Sequence, residues 1–281
     1  MLTLQGRREY VTLLREQGLS LRGACRLVGI HRASVAYTPR PDTDAPLLAQ
    51  MQQVAVKHPR WGVRKVYHVL RRQQTVNHKR IQRLWKQAGL QVKARRRKKH
   101  KPPGVQAQSV VAERPNAVWS CDFIFDATEG GTKLKMLTVG DDFTRECFCI
   151  AVQTGFSAVQ VRDELKRLVA LHGAPDALRR DNGTELTATE MQTWMAETGI
   201  TAAYIAPGSP WQNGFRESFQ GRFRDECLSA SLFHNVADAK TQTEAWRREY
   251  NEERPHQSLG GKTPNEYKRD WLTSQLQTTG D

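Results

Sequence analysis

From Trp119 onward the chain leaves helical spacing for short apolar alternations interleaved with helices, and this change limits the architecture more than any other feature. The stretch "VWSCDFIFD" (118–126) alternates as a strand, with Trp119, Cys121, Phe123 and Phe125 on one face and Asp122 on the other. "KLKMLTVG" (133–140), the turn "DDFTR" and "ECFCIAVQ" (146–153) predict a hairpin whose Cys147 and Cys149 belong to the core. A helix over 158–172 presents Val161, Leu165, Leu168 and Val169 and stops at Gly173. "DALRR" (176–180) is a short strand ending at "DNG". Thr187 and Glu190 predict a capping box for a helix through Ala196, and "ITAAYIAPG" (200–208) a further strand. Strands interleaved with helices indicate an α/β or mixed layered domain, and 281 residues leave room for smaller units beside it.

The smaller units precede it. Residues 7–37 predict three short helices: the first ends at Gly18, the second starts from Ser20, and Gly29 makes the turn before "IHRASVAY", a helix-turn-helix-like pattern. "RPDTDAP" (40–46) is a linker. A second helical unit has Val63, Val66, Tyr67 and Leu70 on one face, followed by a helix capped by Asn77 and closed by Gly89. That helix sets Ile81, Leu84, Trp85 and Ala88 opposite Lys79, Arg80, Arg83 and Lys86.

Charge is placed unevenly. Of the net +14, residues 1–101 carry 24 Lys and Arg against 4 acids, and the remainder carries 19 against 25. Between Lys57 and Lys101 stand 17 basic residues and no acid. Solvated helix faces ordinarily mix signs, whereas neutralising phosphates needs a one-signed field, so this run predicts nucleic-acid binding. The expected contacts are Arg64, Lys65, Lys79, Arg80, Arg83 and Lys86, with Arg95, Arg96 and Arg97 in the arm "KARRRKKHKPPG" (93–104). An anionic membrane surface competes weakly, because no broad apolar face accompanies the charge. No apolar run approaches the ~20 residues of a membrane span. His58, His68 and His78 lack the cysteine pair that a zinc site usually adds. Five cysteines without a CxxC pair point to a reducing cytosol.

Three carboxylates stand out. Asp122 interrupts an aromatic strand, where a buried charge needs compensation. Asp181 follows a strand end at a flexible Asn-Gly turn. Glu217 lies on "SPWQNGFRESFQGRF" (209–223), a helix that Ser209, Pro210 and Gln212 would start and whose Phe215, Phe219 and Phe223 form an apolar stripe. Glu217 points roughly 160° from that stripe. Glu226, if the helix continues, returns to the stripe side, where a tertiary hydrogen bond or salt bridge is its natural use. Each of the three has a plain alternative as a cap, a turn residue or a solvated glutamate. Together they offer the hard oxygen ligands that Mg²⁺ prefers for phosphoryl transfer.

"WSCDF", "DNGTEL", "YIAPGSPWQNGFRESFQGRFRDECL" and "YNEERPHQSLGGKTPNEY" resemble the OrfB-type transposases of insertion-sequence family three, in the DDE transposase and retroviral integrase superfamily. The likeness covers nearly the whole chain. It implies an RNase H-like catalytic core, a mixed sheet flanked by helices, preceded by all-α helix-turn-helix-like DNA-binding units. It also implies two Mg²⁺ or Mn²⁺ ions and a catalytic, metal-binding triad of Asp122, Asp181 and Glu217, whose last two members are separated by the 35 residues typical of the family. Arg180, Leu186 and Arg216 depart from the residue types common at their positions, and none removes a carboxylate.

The implied activity is cleavage of element ends and joining of the 3′-hydroxyl to target DNA. A structure-specific nuclease of the same fold, or a silent DNA-binding regulator derived from a transposase, are the alternatives. The implied partners are double-stranded DNA, further copies of the chain assembled on it, and an upstream-frame protein or frameshift fusion, in a bacterial, nucleoid-associated setting without a membrane. The expected divisions are 1–39, 46–92, a basic arm and linker 93–117, a core 118–270 and a tail 271–281. "RPHQSLGG" fits a DNA contact and a structural loop equally well.

Overall fold

The computed structural model describes residues 3–37, 44–92, 111–180, 188–204 and 214–278, which fall into two compact units, Met1–Leu47 and Leu48–Asp281. In the first, α1 (Leu4–Glu16), α2 (Leu21–Val28) and α3 (Arg32–Ala36) close around Val11, Ala24 and Cys25. The helix signals act as read: the Ser20 hydroxyl accepts from the Gly23 N–H at 3.2 Å, and Gly29 ends α2 at φ +71°.

α4 (Asp44–Lys57) begins in the first unit and passes at Leu48 into the second, which continues through α5 (Val63–Gln73) and α6 (His78–Gln87), on which Val66, Leu70, Ile81, Leu84 and Trp85 are buried. The Asn77 side chain caps α6 by accepting from Lys79 N–H at 2.8 Å.

A five-stranded mixed sheet follows, in the order β3-β2-β1-β4-β5. β1 (Val118–Ala127), β2 (Lys133–Asp141) and β3 (Cys147–Gln153) form an antiparallel meander. β4 (Ala177–Arg180) runs parallel to β1, and β5 (Thr201–Tyr204) parallel to β4. One face packs Trp119, Cys121, Leu137 and Leu178 against α7 (Ala158–His172) and α8 (Thr189–Thr198). The other packs Ile124, Met136 and Ile150 against α9 (Gly214–Phe223), its π-helical continuation Arg224–Leu228, and α10 (Val236–Glu252). A 3₁₀ turn (Gln257–Leu259) and α11 (Pro264–Thr278) end the described chain. This is the RNase H-like α/β arrangement. No described helix is long and apolar enough to cross a membrane.

Two local expectations change, and a third falls partly outside the described residues. Phe125, expected to share the buried face of β1, is 64% exposed, because the strand runs past the edge of the core. α8 starts with Ala188 at its N-cap and no side-chain cap from it, while Thr187, expected to form a capping box with Glu190, lies outside the described residues. Cys147 and Cys149 are both buried but face opposite cores, because a bulge lets Gly140 pair with Cys147 and Val139 with Cys149. The bulge also fixes Gly140, where a Cβ would stand 2.5 Å from the Glu146 carbonyl oxygen. The Asn251 amide serves the backbone there, accepting from Cys147 N–H at 2.9 Å and donating to its C=O at 2.8 Å, which pins α10 to the sheet edge.

Candidate functional site

Asp122 lies in mid-β1, half-buried, opposite Thr138 on β2. Its Oδ1 accepts from the Phe123 N–H at 2.8 Å, and its Oδ2 accepts from the Gln220 side-chain amide of α9. The Thr138 hydroxyl donates to the Asp122 carbonyl at 3.0 Å. Arg216, 1% exposed, donates from its guanidinium to both the hydroxyl and the carbonyl of Thr138, and its charge lies 5.3 Å from the Phe219 ring centroid. The start of α9 is thus tied to two adjacent strands, through Arg216 to β2 and through Gln220 to β1.

Phe219 and Phe223 add the apolar part of this anchorage at 1% and 0% exposure, each stabilising by about 1.5–3 kcal/mol. Phe215, only half-buried, lies under the Arg145 guanidinium at 4.5 Å. Glu217 is exposed, three residues before Gln220 and therefore about 60° round the helix from it. Asp122 and Glu217 are accordingly held by one rigid strand-helix junction. The proposed helix start at Ser209, Pro210 and Gln212 lies outside the described residues, as does Asp181. β4 ends one residue before Asp181, and its register with β1 runs to Ser120 opposite Arg179.

Two hard carboxylates on a fixed junction suit a hard divalent cation. Among the described residues, no three His, Cys, Asp or Glu side chains cluster as a metal site. The three histidines do not gather at one point: His58 stands apart, while His68 and His78 both pack on Tyr67. His58 stacks on Trp61 at 3.7 Å and meets Glu249 at 3.0 Å, His78 packs edge-on to Tyr67, and His68 abuts Gly261.

Glu226 lies in the π-turn, where Arg254 grips it through two hydrogen bonds of 2.6 and 2.7 Å and Lys65 adds an ion pair at 2.6 Å. Burial alone would raise this carboxyl, but the Arg254 and Lys65 charges outweigh it and hold the group down at about 2. The tertiary contact expected of Glu226 is therefore present, as ion pairs, and it engages Lys65 inside the protein.

The other basic candidates divide. Outside the expected contacts, Lys57, Arg60 and Arg72 pair with Glu253, Asp225 and Glu266, so with Lys65 four of the run's 17 basic residues meet carboxylates between 225 and 266. Arg64, Lys79, Arg83 and Lys86 are exposed, Arg80 is half-buried, and Arg95, Arg96 and Arg97 lie outside the described residues. The segment "RPHQSLGG" has a structural part. Arg254 and His256 are buried, and Gly261, at φ +87°, has no room for a Cβ, which would stand 2.0 Å from the His68 ring. Sequence reading missed Gln220 and the anchoring role of Arg216. A helical wheel puts Arg216 beside Phe219 and Phe223, which was the available signal.

Comparison with known proteins gives three family matches: an HTH-like domain over residues 41–99, and integrase core domain models over 112–210 and 198–264. The chain is 40% identical over 260 residues to the uncharacterised 31.7 kDa protein of insertion element IS407 from Burkholderia multivorans, covering 92% of this chain and 94% of that one. It is 29% identical over 246 residues to transposase InsD for insertion element IS2A/D/F/H/I/K of Escherichia coli, covering 82% and 80%. Among solved structures it is similar to the HTLV-2 integrase catalytic core domain in complex with magnesium, at 16% identity and a TM-score of 0.47, over 56% of this chain and 99% of that chain.

Proposed function

The chain belongs to the OrfB-type transposases of insertion-sequence family three, and on that premise we propose that it cleaves the ends of its element and joins the freed 3′-hydroxyl to target DNA. Water attacks the phosphodiester in line and the 3′-oxygen leaves as a hydroxyl. That hydroxyl then attacks a target phosphodiester, whose own 3′-oxygen departs, so no covalent enzyme intermediate forms. Asp122, Asp181 and Glu217 would hold two Mg²⁺ or Mn²⁺ ions, which supply Lewis-acid stabilisation of the attacking and leaving oxygens.

The observation that carries this reading is the double anchorage of α9, which holds Asp122 and Glu217 on one junction. Gln220 orients the Asp122 carboxylate, and Arg216 fixes the turn that bears Glu217, so little reorganisation is left for the reaction. The 46–92 unit and the 93–117 arm deliver double-stranded DNA to the core. Further copies of the chain on that DNA, and an upstream-frame protein or frameshift fusion, complete the proposed assembly.

A cleavage and strand-transfer assay on labelled donor ends in Mg²⁺, both uncut and pre-cut, tests it. Glu217→Gln and Asp122→Asn should each lower cleavage and joining by on the order of 10²–10³-fold or more. Glu217 is exposed, so its replacement should leave stability within about 0.5 kcal/mol. Near wild-type joining by Glu217→Gln overturns the triad. Cleavage without joining by the wild type identifies a nuclease, and DNA binding without either identifies a regulator.

A further inference from the structure

We infer that a cavity between α5, the C-terminal end of α9 and residues 254–257 binds a phosphate group of the DNA backbone. This rests on the reading of the chain as one that acts on DNA. The cavity has a volume of about 510 Å³ and is lined by Arg64, Lys65, Tyr67, Arg222, Arg254 and Pro255, among others. Four cations therefore face one space. Among the described residues, the carboxylate that ion-pairs with any of them is Glu226, which serves both Lys65 and Arg254. Arg64 and Arg222 form no ion pair with a described residue, so the cavity keeps an excess of positive charge.

The charges visibly press on one another. Burial, and then Arg254 and Arg222, push the Lys65 ammonium down to about 8 despite its contact with Glu226. Burial and the same two arginines push His256 down to about 2. Arg222 itself is lowered, by burial first and by Arg254 next. A bound anion reverses each charge repulsion, and concave walls of low dielectric strengthen its attraction to the guanidinium groups.

The site is preformed. The Glu226 ion pairs fix Lys65 and Arg254, and the close approach of Gly261 to His68 seats the 254–261 segment on α5. It is also distinct from the carboxylate junction. Arg222 lies five residues beyond Glu217, about 7.5 Å along the axis of α9 and about 140° round it. An anion here holds the DNA away from the reacting phosphate and guides the strand from the helical unit to the core. The apolar surface of Val63, Tyr67 and Pro255 leaves room for the sugar attached to it.

The full-length chain allows the test, with a 30-bp duplex as one probe and pyrophosphate as the other. Arg222→Gln removes one charge and keeps the Glu226 ion pairs. It should make the slope of log affinity for duplex against log salt shallower by about 0.9, the contribution of one phosphate. Arg222→Lys should restore most of that slope. Pyrophosphate should raise the thermal midpoint of the wild type and not that of Arg222→Gln. Arg64→Gln, at an exposed position, repeats both measurements if the Arg222 variant does not fold.

Unchanged affinity and slope in folded variants, with a wild type that binds DNA, overturn the pocket. Pyrophosphate stabilisation without any change in the DNA slope assigns it to a free anion and overturns the DNA contact. A wild type that binds no DNA defeats the functional reading, while the pyrophosphate measurement still decides whether the cavity takes an anion.

Discussion

α5 and α6 are neighbours in one helical unit, similarly basic and equally without acids, yet they divide their charge differently. α5 spends half of it inside the molecule, Lys65 on Glu226 and Arg72 on Glu266, continuing what Lys57 and Arg60 do before it, and leaves Arg64 and Arg71 exposed. α6 turns Lys79, Arg83 and Lys86 to solvent, and neither Lys79 nor Lys86 forms an ion pair with a described residue. A one-signed run is therefore two things at once. Part of it glues the helical unit to acids more than 160 positions away, and part stays available to an external polyanion. Local composition cannot separate the two, since the difference lies in which face the tertiary structure covers.

The sharpest way to break the contrast is to remove the acid at its centre. Glu226→Gln strands Arg254, whose side chain is 3% exposed, beside Lys65 with no counter-charge. The expected loss is about 3–5 kcal/mol in denaturant unfolding. A loss below about 1 kcal/mol would mean that α5 does not depend on this contact. Acid titration approaches the same pair more gently. Glu226 sits at about 2 when folded against a usual 4.5, so its contribution is complete above pH ~4.5 and lost as pH falls toward ~2. Wild type should lose up to about 3 kcal/mol across that window, and Glu226→Gln should lose less.

Lys65 acts in the opposite window. Its folded value of about 8 lies below the usual 10.5, so stability should rise from pH ~8 to ~10.5. The smallest effect on stability belongs to α6. Lys79→Gln with Lys86→Gln should leave the thermal midpoint unchanged and make the salt slope of DNA binding shallower by about 1.8. A shifted midpoint with an unchanged slope would give α6 the role of α5.

What the sequence disclosed follows the range of the interactions. β1 to β3, α7 and the Phe219 and Phe223 part of the stripe of α9 were legible because side-chain period reports on burial. Phe125 and Phe215, at the ends of their patterns, are instead exposed and half-buried respectively. The caps at Ser20 and Asn77 were legible because a cap is made by residues three or fewer positions apart. The Phe148 bulge was not, since the extra residue is defined only by its partner strand. Arg216 was legible only in part: its place on the wheel beside Phe219 and Phe223 is local, whereas its anchorage depends on Thr138 of another strand. Asp122 and Glu217 could be singled out as carboxylates in unusual places, whereas Gln220 became visible only when α9 was laid across β1.

All five cysteines are buried, and they are spread usefully: Cys25 in the first unit, Cys121, Cys147 and Cys149 in the sheet, and Cys227 in the π-turn beside Glu226. Burial pushes Cys147 and Cys227 up to about 12, so in the closed protein their thiols stay protonated and unreactive. A thiol reagent can label them only when their surroundings open. The molecule thus carries its own reporters of local opening, and the order in which they are labelled reads out which part yields first.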